Sequence, residues 1–166
     1  MPAHRFRDLG CVVDDVHALF DRWVEEGTFA DALDAVGVEV LKLAVHEWVA
    51  NLVQHAAFGR RRPEIRLRVE RAGRGVPGLR CVIEDNSNGF DFERQIVRQR
   101  GVLGADQPSD RGRGLLMLLA CTEDLTYEPA AKGRQRLAFV VLPHTAEGDA
   151  APSAALAPLF ASASRT

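Results

Sequence analysis

Glu64-Ile-Arg-Leu-Arg-Val-Glu70 alternates without a break: Ile65, Leu67 and Val69 point one way and the charged residues the other. A period of two is the signature of a strand with one face in water. Arg71 to Gly78 holds three glycines and a proline and reads as a hairpin turn. Leu79 to Glu84 is the returning strand, with Leu79, Cys81 and Ile83 on one side. Leu125 to Tyr127 and Arg136 to Leu142 make a second hairpin around Lys132-Gly133. Strands in adjacent hairpins, with helices before and between them, predict an α/β two-layer sandwich. Its sheet is mixed and mainly antiparallel, with the helices on one face. A doubly wound sheet would need strands alternating with helices, and this chain does not have them.

Upstream of the first hairpin, residues 5–13 read as a short extended start. Asp14 or Asp15 can cap a helix running to about Glu26, with Val16, Leu19, Phe20, Trp23 and Val24 as its apolar stripe and Gly27 as its C-cap. Asp31 to about Ala57 is a second helical stretch with a candidate break near Gly37. Its last part, Val45-His-Glu-Trp-Val-Ala-Asn-Leu-Val-Gln-His-Ala56, contains no Pro or Gly. With Glu47 at zero, Asn51 falls at about 40 degrees and His55 at about 80 degrees around the helix. Leu41, Val45, Trp48, Val49, Leu52 and Val53 cover the opposite side. A carboxylate, a carboxamide and an imidazole in line, with no Lys or Arg among them, can bind a cation or move a proton. A merely solvated face is the ordinary alternative.

Downstream, Asp85 to Gly114 predicts no regular element except a short helix at Phe92 to Gln99. A loose stretch that long inside a compact domain is usually a lid or binding loop. Leu115 to about Glu123 is again helical. The chain thus divides into a domain over 1–143 and an Ala/Pro/Ser-rich tail over 144–166, expected to be disordered. At 166 residues, 46% hydrophobic and with a net charge of −2, the composition gives no global attraction to nucleic acid or an anionic membrane. No apolar run approaches the length that spans a bilayer, and the N-terminus lacks the apolar core of a signal peptide. Cys11, Cys81 and Cys121 are isolated and without metal-type spacing, so no disulfide or zinc is expected and Cys81 should be a buried thiol. A cytoplasmic protein is expected.

Three short motifs stand in order: Glu47-x-x-x-Asn51, Asp85-Asn-Ser-Asn-Gly-Phe-Asp91 and Gly112-Arg-Gly-Leu115. Alone, the second is a turn and the third a plain helix entry. A calcium loop would need its glycine elsewhere and a later acidic residue. Together they can serve one ligand. An acid at a strand end accepts a hydrogen bond from an exocyclic amine. Glycines before a helix let backbone N–H groups approach phosphates, where the helix N-terminus adds partial positive charge. An Asn oxygen on a facing helix can complete the shell of Mg²⁺. Arg100, Arg111 and Arg113 are the loop's candidates to neutralise phosphate. No Gly-x-x-x-x-Gly-Lys-Ser/Thr is present, which excludes a P-loop.

In this order and at these separations, the motifs resemble the N box and the two glycine boxes of the GHKL ATPase superfamily, the group of gyrase, histidine kinases and MutL. The wording Glu-x-x-x-Asn-x-x-x-His-Ala in a short chain resembles the bacterial anti-sigma factors that are serine/threonine-protein kinases. The resemblance covers about residues 5–143 and implies a Bergerat-type fold with ATP and Mg²⁺ as cofactors. It implies Asn51 as the Mg²⁺ ligand, Asp85 as the acceptor of the adenine amine and Gly89 as a wall of the adenine pocket. Gly112 and Gly114, with Arg111, Arg113 and Leu115, would belong to the lid over the phosphates. Glu47 would be the general base toward a partner's hydroxyl. His55 would contact nucleotide or hold the helix, and His46 lies off this line. Ser87 stands where the family has its first glycine. A side chain there either crowds the adenine or requires a changed loop conformation.

The function so implied is an anti-sigma factor that holds a sigma factor and phosphorylates Ser/Thr of an anti-anti-sigma (STAS-type) antagonist, releasing it by added charge. A homodimer is expected, with no direct nucleic-acid or membrane contact. The alternatives are a catalytically inactive partner-binding module and a stand-alone histidine kinase catalytic domain.

Overall fold

The computed structural model describes residues 3–73, 75–102 and 114–144. Strand β1 (Ala3–Phe6) leads into helices α1 (Val12–Glu25) and α2 (Ala35–His55), then the hairpin β2 (Ile65–Arg71) and β3 (Leu79–Asp85). Helices α3 (Phe92–Val102) and α4 (Gly114–Cys121) follow, and β4 (Glu123–Ala130) and β5 (Arg134–Val141) close the fold around a single 3-10 turn. The five strands lie in the order β1-β2-β3-β5-β4, and all four pairings are antiparallel.

The register explains the layering. Leu67 pairs with Ile83 and Ile83 with Leu137; Val69 pairs with Cys81 and Cys81 with Phe139. Every second residue of the central strands therefore points to one face, and these residues share a core with Val16, Phe20 and Trp23 of α1, Leu41, Trp48 and Leu52 of α2, and Leu115 and Leu118 of α4. All three helices thus lie on one face of the sheet, as a two-layer sandwich requires. The opposite face carries Arg66, Arg68, Arg80, Glu84 and Arg136, and among them Val82, Ala138 and Val140 are buried.

Several boundaries differ from the sequence expectation. α1 begins at Val12 after Cys11, two residues ahead of the aspartates, so those acids lie in its first turn, where the helix dipole favours them. The earlier start brings Val12 into the core stripe, while Val24, expected in that stripe, is exposed. α2 is unbroken. Gly37 lies in its first turn and donates its N–H to the Asp34 cap at 2.9 Å. The same carboxylate oxygen accepts the His144 N–H at 3.0 Å, tying the end of the domain to the start of α2. β4 extends well beyond Leu125 to Tyr127, because pairing with β5 carries it past a bulge between Glu123 and Thr126. Cys81 is fully buried. No described helix is long and apolar enough to cross a membrane. Residues 145–166, the expected tail, lie outside the described residues.

Candidate functional site

α2 carries Glu47, Asn51 and His55 along one side, the first two half-buried and His55 exposed. α4 opens directly on them. A Cβ on Gly114 would stand 2.5 Å from Glu47 Oε2 and 3.2 Å from Asn51 Nδ2, so the absence of a side chain is what allows the approach. Leu115, one residue on, is buried in the core and anchors α4 there; its contacts are packing contacts. Asn51 Nδ2 is buried and has no hydrogen-bond partner among the described residues. Arg111, Gly112 and Arg113 lie outside the described residues, as does the side chain of Arg100. His46 faces away from the site and meets His17 of α1, with 2.8 Å between Nδ1 and Nε2.

Asp85 ends β3 on the inner face and is completely buried. Its Oδ1 accepts the Ser87 N–H at 2.9 Å, and its Oδ2 has no partner among the described residues. Burial pushes this carboxyl above the usual carboxylate range, opposed by its contact with Ser87 and by the charges of Arg134 and Arg61. Ser87 does not adopt the left-handed backbone that a glycine would allow. Its hydroxyl accepts the Gly89 N–H at 3.1 Å, so the side chain is built into the turn. Gly89 has φ +75°, and a Cβ there would reach within 2.8 Å of the Gln135 side chain. Its close neighbour is thus the strand opposite Asp85. Asp91 accepts the Arg94 N–H at 3.0 Å and caps α3.

A strap from 57 to 64 fixes this loop. Asn88 N–H donates to the Ala57 carbonyl at 2.8 Å, and Asn86 bridges the Glu64 N–H and the Arg62 carbonyl at 2.8 and 2.9 Å. Arg61 donates to Asn88 Oδ1 at 2.7 Å and to the Gly133 carbonyl at 3.0 Å, clamping the loop to the β4–β5 turn. Sequence reading left these partners unidentified, since nothing in Arg60-Arg61-Arg62 marks one arginine as structural.

Beside Asp85 the rings of Trp48, Phe90, Phe92 and Tyr127 form one cluster, with centroid separations from 5.0 to 6.2 Å. A cavity of about 540 Å³ opens against it, where the rings of Phe90, Phe92 and Tyr127 are joined by the acids Asp91 and Glu93 and by Gln135; Asp85 and Asn51 do not line it. That volume is in the usual range for small-molecule sites. Apart from that cavity, an aromatic cluster near a carboxylate oxygen and a carboxamide nitrogen that have no partners among the described residues suits a planar ligand that donates through an amine. Sequence reading had placed Trp48 among the core residues of α2 and missed Tyr127, the chain's single tyrosine, whose signal was its spacing of two from Leu125.

A sequence comparison with curated proteins finds no match. The family model of the histidine kinase-like ATPase domain matches residues 13–138, from α1 through most of β5, which is well over half of the chain. That span takes in the α2 acid and amide, the buried Asp85 and the α4 entry. With the antiparallel sheet covered by helices on one face, it makes this chain a member of the histidine kinase-like ATPase domain family, within the GHKL-type ATP-binding domains.

Proposed function

We propose that this domain binds ATP with Mg²⁺ and transfers the terminal phosphoryl group to a serine or threonine hydroxyl of a partner protein. In this reading it is a cytoplasmic, homodimeric anti-sigma factor. It holds a sigma factor and phosphorylates a STAS-type antagonist, and the added charge expels the antagonist. The observation that carries the reading is the seat of Gly114 on Glu47 and Asn51, which brings a carboxylate, a carboxamide and a helix entry to one point.

Asp85 Oδ2 would accept the adenine amine, and Asn51 would hold Mg²⁺ through its carboxamide oxygen. The ion supplies neutralisation of phosphate charge when bound. Glu47, one helical turn before Asn51, would take the proton of the attacking hydroxyl. Gly89 sets the loop beside Asp85, and Arg111, Gly112 and Arg113 would close on the phosphates. His55, exposed at the end of α2, would act at the rim.

The test is ATP binding with and without Mg²⁺ for the wild type and Asp85→Asn, followed by phosphotransfer to Ser/Thr of a co-purified partner. Binding that needs Mg²⁺ and disappears in the variant is expected. A wild type that binds no ATP at millimolar concentration would sink the reading and leave a partner-binding scaffold. An acid-labile phosphate on the partner would point to a histidine kinase domain.

A further inference from the structure

The crevice of about 540 Å³ lies apart from the residues assigned to nucleotide, since neither Asp85 nor Asn51 lines it. Its walls come from two places in the chain. Phe90, Phe92 and Ile96 belong to the segment that opens α3, and Leu125, Tyr127 and Pro129 are alternate residues of β4. All of these but the exposed Pro129 are half-buried, so apolar surface is left open to solvent in a hollow that can hold a side chain. The rings of Phe90 and Phe92 lie 5.0 and 5.5 Å from that of Tyr127. All three pack on buried Trp48, at 5.3 to 6.1 Å, which holds them in place.

The polar part of the lining is acidic. Asp91 and Glu93 are exposed carboxylates, and Gln135 adds a carboxamide. Asp91 Oδ1 is used by the Arg94 N–H at 3.0 Å, as the cap of α3. Among the described residues that line the crevice none is Lys or Arg; Arg94 lines a neighbouring hollow with Asp91, Gln95 and Val97. The strand that supplies one wall also exposes Glu123, Asp124 and Glu128, of which Glu128 meets Arg136 at 3.9 Å. Aromatic rings carry a negative face, so both halves of the lining attract a cation and disfavour a phosphate.

We propose that this crevice is a docking pocket for an arginine side chain presented by a partner protein. The inference goes beyond the nucleotide reading and does not depend on it. Charge complementarity selects the occupant. A guanidinium is planar and weakly hydrated, stacks on aromatic rings and meets carboxylates through a fork of donors. Its aliphatic stem covers apolar surface of the kind that Leu125 and Ile96 leave open. A lysine ammonium is a compact, strongly hydrated charge and gains less from the rings. An arginine seated among aromatic side chains is also a common anchor of protein interfaces.

The experiment titrates the nucleotide-free full chain with the blocked peptide acetyl-Gly-Arg-Gly-amide, its citrulline counterpart and methylguanidinium, read by amide NMR shifts. Asp91→Asn/Glu93→Gln is titrated beside it, with Tm as the check on folding. The carboxamide at 91 still accepts the Arg94 N–H, so the cap is kept. The arginine peptide should bind at millimolar concentration and shift Phe90, Phe92 and Tyr127, with the uncharged citrulline peptide at least about ten-fold weaker. The double variant should keep its Tm and reduce that preference to about two-fold or less. Methylguanidinium should bind more weakly than the peptide, because it lacks the stem. Equal binding of the arginine and citrulline peptides, or no shift at the three aromatic residues, overturns the proposal. An arginine preference that survives in the double variant places the cation elsewhere and overturns it too. Methylguanidinium that binds as tightly as the peptide gives the crevice to a small free cation, against a partner's side chain. Every titration is done without nucleotide, so failure here leaves the ATP reading untouched.

Discussion

Asp85 is held in the core with only one of its oxygens satisfied, and burial raises its pKa. The sign for stability follows directly. A carboxyl whose folded pKa lies above its unfolded value stabilises fully below about pH 3.9 and loses that contribution as pH rises through the folded pKa. Asp85→Asn removes the titration. At pH 7 and without nucleotide the variant should therefore melt above the wild type, with the gap closing as pH falls toward about 4. ATP should raise the Tm of the wild type only. A gap that widens in acid would show that the carboxylate is stabilised in the fold, against this account. Glu47 should separate binding from chemistry: Glu47→Gln keeps ATP affinity within about two-fold and lowers phosphotransfer by at least about 10²-fold, the usual contribution of a general base. Radiolabel transfer beside calorimetry checks both halves.

In the loop from Asp85 to Gly89 the Ser87 side chain is part of the turn. Ser87 spends its hydroxyl on the Gly89 N–H and its amide on Asp85 Oδ1. Ser87→Ala should cost about 1 kcal/mol in urea unfolding and weaken ATP binding several-fold, through the freed Gly89 N–H. Unchanged values would mean that the loop is fixed by Arg61 and the strap alone. At α4 the constraint is space. Gly114→Ala places a methyl 2.5 Å from Glu47 Oε2, and a flexible carboxylate can swing away, so the fold should survive while phosphotransfer falls. The helix α2, the β2–β3 hairpin and the order of the motifs were legible in the sequence, because their signals are local periods of 3.6 and 2 and local spacings. The Arg61 clamp, Gln135 against Gly89 and the Tyr127 wall were not, since each depends on strand register between segments far apart in the chain. The early start of α1 was missed because its first turn has no capping side chain.

At the scale of the molecule, the sheet is gathered at one end by Glu64, the residue just before β2. Its carboxylate takes Arg66 of β2, Arg134 of β5 and Arg7, which follows β1, so one acid ties three of the five strands together. Burial works against the charge, but hydrogen bonds from Arg134, Arg66 and Arg7 prevail and pull its pKa down to about 2. A depressed carboxylate pKa contributes stability above its unfolded value and loses it as pH falls through the folded one, which sets a window from about 4.5 down to about 2. Discounted for the water that reaches the cluster, the contribution at neutral pH is about 2 kcal/mol. Glu64→Gln should lose that amount in urea unfolding at pH 7 and leave Arg134, whose Nη1 already lacks a partner among the described residues, without its carboxylate. Between pH 4.5 and 2 the wild type should fall steeply and the variant stay flatter, so the two curves approach each other in acid. Parallel curves would mean that the cluster is solvated and that the packed face alone holds the sheet.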